Sequence, residues 1–301
     1  MSPAASVILP TYNRLAYLRE AVDSVRAQSA RDWELIVIDD GSTDSSLAWL
    51  ELLGDPRIVT IACAHGGSVT ALRNIGVHAA RAPWIAFLDS DDRWRPDKLD
   101  QQLAFHERHP EFLWSYSNRR MIGPDGSPLP EDLFQPWRPH SGPLVEAVLT
   151  LQANIAAPSV MVRRRALLDV GAFDEHWRFG GDYELWLRLA ERYECGVITE
   201  VLVDIRSYAS STFGTPDVNL GLAEMYRTFG ARTGDGRLRH IARRRRALHL
   251  VRAADEMLQC GDRASAARTM ALATLVRPHA RSVMRAWLRL LRALAAPVRR
   301  G

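Results

Sequence analysis

Three carboxylates crowd into four residues of this chain, Asp89, Asp91 and Asp92, where the apolar run of WIAFLDSDD (84–92) stops. An apolar run of that length reads as a buried strand, so the acids must sit where the strand leaves its sheet. Carboxylates held together repel and raise one another's pKa. A hard divalent cation relieves that repulsion, and Asp-x-Asp suits Mg2+ or Mn2+ carrying a diphosphate. A solvated acidic turn before Arg93 is the plain alternative, and a short motif alone does not separate the two. A second acidic pair, Asp39-Asp40, ends the apolar run Leu35-Ile36-Val37-Ile38. A third acid, Asp182, follows Gly180-Gly181 at the start of a helical pattern.

The elements that position these residues follow from periodicity. Ser6–Leu9, Leu35–Ile38, Ile58–Ile61 and Trp84–Leu88 read as buried strands, with Pro10 ending the first. Helical spacing fills 15–28, 45–53 and 69–80 between them. Alternation of this kind predicts an α/β fold, Rossmann-like, with a mostly parallel sheet flanked by helices. Ligands of such sheets bind beyond the carboxyl ends of the strands, where Pro10, Asp39-Asp40 and Asp89-Asp91 all fall. Residues 123–143, rich in Pro and Gly, predict a long mobile loop. A strand over 157–162, a helix over 164–170, a helix over 182–193 and a strand over 197–206 follow. Beyond 216 the pattern is helical, with a loop at 233–236. Two domains are expected, 1–215 and a basic helical extension over 216–301.

The chain has 301 residues, 47% hydrophobic and 25% charged, an ordinary globular composition. Its net charge of +4 conceals a division: residues 225–301 hold 18 Arg against Asp235, Asp255, Glu256 and Asp262. That stretch carries +14 and the preceding residues carry −10. Three separated cysteines, without metal spacing, predict a reducing compartment. The first apolar run, 6–9, is too short for a signal peptide, and no uncharged stretch is long enough to span a bilayer. A cytoplasmic protein is expected, with attachment to the inner membrane face through its tail.

SVILPTYNR (6–14), LIVIDDGSTD (35–44), LRNIG (72–76), FLDSDD (87–92) and GGDYELWLR (180–188), in this order, resemble a family 2 glycosyltransferase of the GT-A fold. The resemblance covers residues 5 to about 212. It implies an inverting transferase that moves a sugar from a nucleotide-diphosphate donor, UDP by expectation, to a glycan or lipid-linked acceptor. Asp39 and Asp40 would recognise the nucleobase, Asp40 accepting from a uracil N–H, since a carboxylate selects a base edge that donates. Capping of the following helix is the structural alternative. Pro10, Thr11 and Tyr12 would wall the base pocket, and Arg73 would pair with nucleotide or diphosphate. Asp91 would ligate the metal and Asp89 would contact ribose or metal, with Asp92 orienting them.

Asp182 matches the catalytic base, with Glu184 as fallback. An inverting transfer needs one base and no second carboxylate. The alternative for Asp182 is an acid complementing a helix dipole. Trp137, Trp177 and Phe179 are candidates to stack on acceptor sugars or to pack in the core. Many relatives carry a histidine in R-x-H-x-x-S after the last strand; here Tyr208 stands in its place, and neutral tyrosine is a poor ligand for Mg2+ or Mn2+.

Residues 281–300 place Val283, Trp287, Leu290, Leu291 and Leu294 on one helical face and Arg281, Arg285, Arg289 and Arg292 on the other. This suits an anionic membrane surface. A helix packed on the protein with a solvated Arg face is the equal alternative. Nucleic-acid binding is not expected, because no module or aromatic interleaving accompanies the arginines. Two rival readings are weaker. A nucleotide-binding dehydrogenase needs G-x-G-x-x-G after the first strand, which is missing. A sugar-nucleotide-binding module without turnover would not need Asp89, Asp91 and Asp182 together.

Overall fold

The computed structural model describes residues 2–130, 137–208, 215–278 and 280–295. The chain divides into two compact units, Met1–Ala209 and Ser210–Gly301. The first is built on one eight-stranded sheet of order β3-β2-β1-β4-β7-β6-β8-β5. Its strands are β1 (Ala5–Thr11), β2 (Trp33–Asp39), β3 (Ile58–Ala62), β4 (Trp84–Phe87), β5 (Arg93–Trp94), β6 (Trp114–Ile122), β7 (Val160–Arg163) and β8 (Gly196–Arg206). β1 pairs in parallel with β2 and β4, β2 with β3, and β6 with β8. β7 runs antiparallel to β4 and β6, and β5 to β8. The sheet is therefore mostly parallel, as expected, with three short antiparallel pairings. The extra pairings come from β5, β6 and β7, where polar sequence such as Ser115, Ser117 and Asn118 hides the strand period.

The helices of this unit are α1 (Leu15–Arg26), α2 (Ser46–Leu52), α3 (Val69–Ala79), α4 (Lys98–Arg108), α5 (Val145–Leu149), α6 (Arg164–Asp169) and α7 (Gly181–Arg192). The core interleaves Leu18, Val22 and Val25 of α1 with Val7, Leu9, Leu35, Val37 and Ala86 of the sheet, all buried. α3 lies so close to the sheet that a Cβ on Gly76 would meet Ile8 Cγ2 at 2.6 Å and Ile38 Cδ1 at 2.9 Å. Any larger residue would overpack that contact.

β1 does not stop at Pro10 but runs to Thr11. β4 pairs with β1 only as far as Ile8, and Leu88 N donates to Ile8 O. Pro10 faces that same, now unpaired, edge, so its missing N–H removes no ladder bond. Of the expected loop 123–143, residues 131–136 lie outside the described residues. Its described ends are tied: Gly123 N donates to Ser127 O at 2.8 Å, and Gly142 pairs with Cys195.

The second unit is helical: α8 (Pro216–Arg232), α9 (Gly236–Gln259), α10 (Arg263–Val276) and α11 (Arg281–Ala295). Asp235 and Asp262 cap α9 and α10 through their side chains. Ala223, Leu250, Val251, Met270, Ala273, Val283, Ala286 and Leu290 form its core. The face that the sequence offers to a membrane is thus partly spent inside the bundle. Val283 and Leu290 are buried, and the Trp287 indole donates to Thr274 Oγ1 at 2.7 Å. Met284, Leu288 and Leu291 remain exposed on α11. No helix among the described residues is long and apolar enough to cross a membrane.

Candidate active site

The ends of β1 and β2 form one cross-linked edge. Asn13 adopts a positive φ of 48°. From there its Oδ1 accepts from Thr43 N at 2.7 Å and Asp44 N at 3.2 Å, while its own N–H donates to Ser42 Oγ at 2.9 Å. Asp44 accepts from Leu15 N and Ser46 N, starting α1 and α2 together. Asp39 Oδ2 accepts from Ser42 N at 2.8 Å, so this acid does cap the turn. Its other oxygen, Oδ1, is buried with no hydrogen-bond partner among the described residues. Asp40 accepts from Gly66 N and Gly67 N, each at 2.9 Å, and His65 Nδ1 lies 2.8 Å from its Oδ2. Asp40 thereby ties the 65–67 loop to the end of β2, a structural task invisible in the motif. Its Oδ1, with one donor, keeps a lone pair. Asp39 Oδ1 and Thr11 Oγ1 are the buried oxygens of this pocket without a partner among the described residues. The Tyr12 ring stacks on His65 at 4.1 Å between centroids, 16° from coplanar. Pro10, Thr11, Tyr12, Asp39 and Asp40 therefore meet at one edge.

The carboxylates after β4 each carry an arginine. Asp89 Oδ1 accepts from Arg73 at 2.7 Å, and Asp91 Oδ2 accepts from Arg14. Arg73 comes from α3 and is buried, its guanidinium 5.4 Å from the Phe173 ring centre. Burial alone would lower its pKa; the charges of Asp89 and Asp182 outweigh this and hold it above its ordinary value. Burial, then the charge of Asp89, pushes the Asp91 carboxyl up, while Arg14 and the Tyr208 hydroxyl oppose the shift. Asp92 is buried and pushed well up by burial and then by Asp89 and Asp91. It accepts from Arg206 N at 2.8 Å, which joins the acidic turn to the end of β8.

The Arg206 side chain is buried and braces the same turn from behind. It donates to Asp91 O at 2.8 Å, to Pro124 O at 2.7 Å and to Glu20 Oε2 at 2.7 Å. Among the described residues no group of three His, Cys, Asp or Glu side chains could hold a metal. Asp89 and Asp91 still supply hard oxygen donors whose repulsion a divalent cation would relieve, so the residues fit a cation completed by water and diphosphate. The protein alone would hold such an ion weakly.

Asp182 sits in the first turn of α7, behind Gly180 with φ 76°. That left-handed turn suits glycine. At Gly181 a Cβ would meet Thr70 Cγ2 at 2.7 Å, so α7 begins pressed against α3. This close approach sets the Asp182 charge near Arg73. Glu184, the fallback base, is buried and held by Arg188 at 2.7 Å; Arg188 also donates to Ala172 O. Its task is to hold the 170–172 turn. Trp177 is buried and donates to Asp174, and Trp137 lies edge-on to Tyr116 at 6.0 Å.

Motif reading missed three residues. Arg14 follows the recognised Asn13, yet nothing in one sequence joins it to Asp91. Tyr208 was noted only as a lost histidine, and in the fold its hydroxyl faces Asp91. Arg119, on β6, is largely buried beside Tyr183 and donates to Asn154 O at 3.1 Å. Its strand had no periodic signal.

A family model described as "Glycosyl transferase family 2" matches residues 6–171. A putative teichuronic acid biosynthesis glycosyltransferase, TuaG of Bacillus subtilis, is 37% identical over 137 residues, 44% of this chain and 54% of the relative. The chain spans about a third of the length of two Rickettsia relatives and about half of that of TuaG. Among solved structures, S. aureus TarS 1-349 in complex with UDP-GlcNAc superposes with a TM-score of 0.68 at 18% identity, covering 98% of this chain and 91% of that one. The mannosyltransferase PcManGT of Pyrobaculum calidifontis, in complex with GDP-Man and Mn2+, gives 0.61 at 18% identity, with 98% and 85% covered. These two likenesses establish the fold.

Proposed function

The chain belongs to glycosyl transferase family 2 and is a transferase of GT-A fold, and from that premise we propose an inverting transfer from a nucleoside-diphosphate sugar to an acceptor hydroxyl. The observation that carries this reading is the gathering of Asp89 and Asp182 around Arg73, from strand and helix ends distant in sequence, with Asp91 on the same turn as Asp89 and paired with Arg14. Tyr12, Asp39 and Asp40 supply a stacking surface and acceptor atoms for a base edge that donates, with Pro10 and Thr11 as the wall. Arg73 holds Asp89 and faces the diphosphate. Asp182 takes the proton from the acceptor hydroxyl as that oxygen attacks the anomeric carbon from the side opposite the phosphate. Asp91 and Asp89 would hold Mn2+ or Mg2+, which supplies Lewis-acid neutralisation of the leaving diphosphate. UDP-GlcNAc and GDP-Man in the fold neighbours support a nucleotide sugar as donor class, and UDP is the first to try.

A glycan or lipid-linked intermediate of an envelope polysaccharide is the proposed acceptor, met at the cytoplasmic face of an anionic membrane. The exposed Met284, Leu288 and Leu291 beside Arg281 and Arg285 support that surface. The test is turnover of a panel of nucleotide sugars with Mn2+ by the pure chain and by Asp182→Asn, which is nearly isosteric but cannot accept the proton. Turnover should fall by about 10² or more with donor binding kept. Donor binding without turnover by the unaltered chain, over the whole panel, would point instead to a sugar-nucleotide-binding module. Collapse of donor binding in the variant would make Asp182 structural.

A further inference from the structure

The two arginines on the acidic turn are held differently. Arg73 is fixed: its side chain is only 6% exposed, enclosed by Phe87 and Phe173. Arg14 is rooted but loose. Its backbone precedes α1 directly after Asn13, which the 42–44 turn grips by three hydrogen bonds. Its side chain is 49% exposed and touches the turn through Asp91 Oδ2 alone among the hydrogen bonds and ion pairs of the described residues. A divalent cation on Asp91 would need carboxylate oxygen that the Arg14 guanidinium now covers. Like charges would also drive the two apart. A guanidinium released there stays tethered at the edge shared by Tyr12, Asp39 and Asp40. The new anion within its reach is a diphosphate, for which its fork geometry is suited.

We propose that Arg14 is a placeholder cation: it neutralises Asp91 in the metal-free protein, is displaced by the divalent ion, and moves to the diphosphate that arrives with that ion. It is a positioning residue that makes metal and nucleotide binding cooperative. The inference rests on the proposed role of Asp91 as metal ligand and adds a competitor for that site. Metal alone must evict Arg14 with no anion to receive it, and binds weakly. Metal with nucleoside diphosphate gives the guanidinium a partner, and binds more tightly. Such coupling between two ligands runs from about 5-fold to about 150-fold.

The experiment is titration of the full chain with Mn2+, followed by the loss of the free-ion paramagnetic resonance signal, without and with UDP. The proteins compared are unaltered, Arg14→Gln, Arg14→Lys and Asp91→Asn, with thermal melts to check folding. Arg14→Gln should bind Mn2+ alone several-fold tighter than the unaltered chain and gain less from UDP. Arg14→Lys should restore most of the competition. Equal or weaker Mn2+ affinity in Arg14→Gln, with binding lost in Asp91→Asn, overturns the placeholder and leaves the metal site standing. Undiminished binding in Asp91→Asn removes the metal site from Asp91 and the placeholder with it.

Discussion

At the scale of single residues, the fold puts charge where burial penalises it, and the reasons differ from place to place. Asp92 and Arg206 are buried together: the Arg206 backbone N–H donates to the Asp92 carboxylate, and its guanidinium donates to Asp91 O next to it. Lys98, at the start of α4, has no such answer. It is fully buried, its Nζ has no hydrogen-bond partner among the described residues, and it lies 3.7 Å from the centre of the Trp94 ring. Burial pushes its pKa well down, so the folded state favours the neutral amine. The unfolded chain then binds the extra proton, and stability rises with pH up to the ordinary lysine range. Lys98→Met keeps the volume and removes the unpaired donor. Thermal melts should show it more stable at neutral pH by about 1–3 kcal/mol, the cost of an unsatisfied buried polar group. The gain should shrink as pH is raised toward 10. A loss of stability at neutral pH that fades as pH is raised toward 10 would mean that the ammonium–indole contact outweighs desolvation.

At the scale of elements, what was legible tracks what the sheet does to sequence. β1, β2 and β4 are buried on both faces and read as apolar runs, and acids or turn residues mark their ends. The Asp39-Asp40 and Asp89-Asp91 positions were therefore visible, whereas Asp182 stood out only through its place in the motif series. β5 is two residues long, and β6 carries Ser115, Ser117, Asn118, Arg119 and Arg120, so no period of two stood out. The partners of the motif residues were invisible for another reason. Arg14 to Asp91, Asp40 to Gly66-Gly67 and Arg206 to the acidic turn are long-range contacts set by topology, not by spacing. α11 shows the same limit. Its apolar arc was legible, but not the part that the bundle covers. With Val283, Ala286 and Leu290 inside, a membrane contact has Met284, Leu288 and Leu291 left to use. The triple change of these three to serine, with every arginine kept, should markedly reduce co-sedimentation with vesicles containing anionic lipid and leave the thermal midpoint nearly unchanged. Unaltered co-sedimentation would show that the ridge is not the contact.

At the scale of the molecule, the charge division poses a problem for the donor. The proposed nucleoside diphosphate would have to settle on a portion of the chain that carries −10 through residue 224, at an edge where three aspartates crowd one turn. Salt screens the pull of distant exposed charges within about 10 Å. The attraction must be local. Arg73 and Arg14 stand beside Asp89 and Asp91, Arg206 lies behind, and a divalent ion would add two positive charges at the same point.

The Tyr12–His65 stack is also an intrinsic reporter. Protons of an imidazole lying parallel to a phenol ring at 4.1 Å feel that ring's circulating electrons and resonate upfield of their ordinary frequencies. A nucleobase that stacks on Tyr12 has to slide between the two rings or push one of them aside. Either event alters the shielding of His65 without any label being attached. In a proton–carbon correlation spectrum of the imidazole region, UDP should move the His65 resonances while those of His249, buried in the helical unit against Asn219, stay in place. His65 resonances that stay fixed at saturating UDP would mean that the base settles elsewhere than on Tyr12.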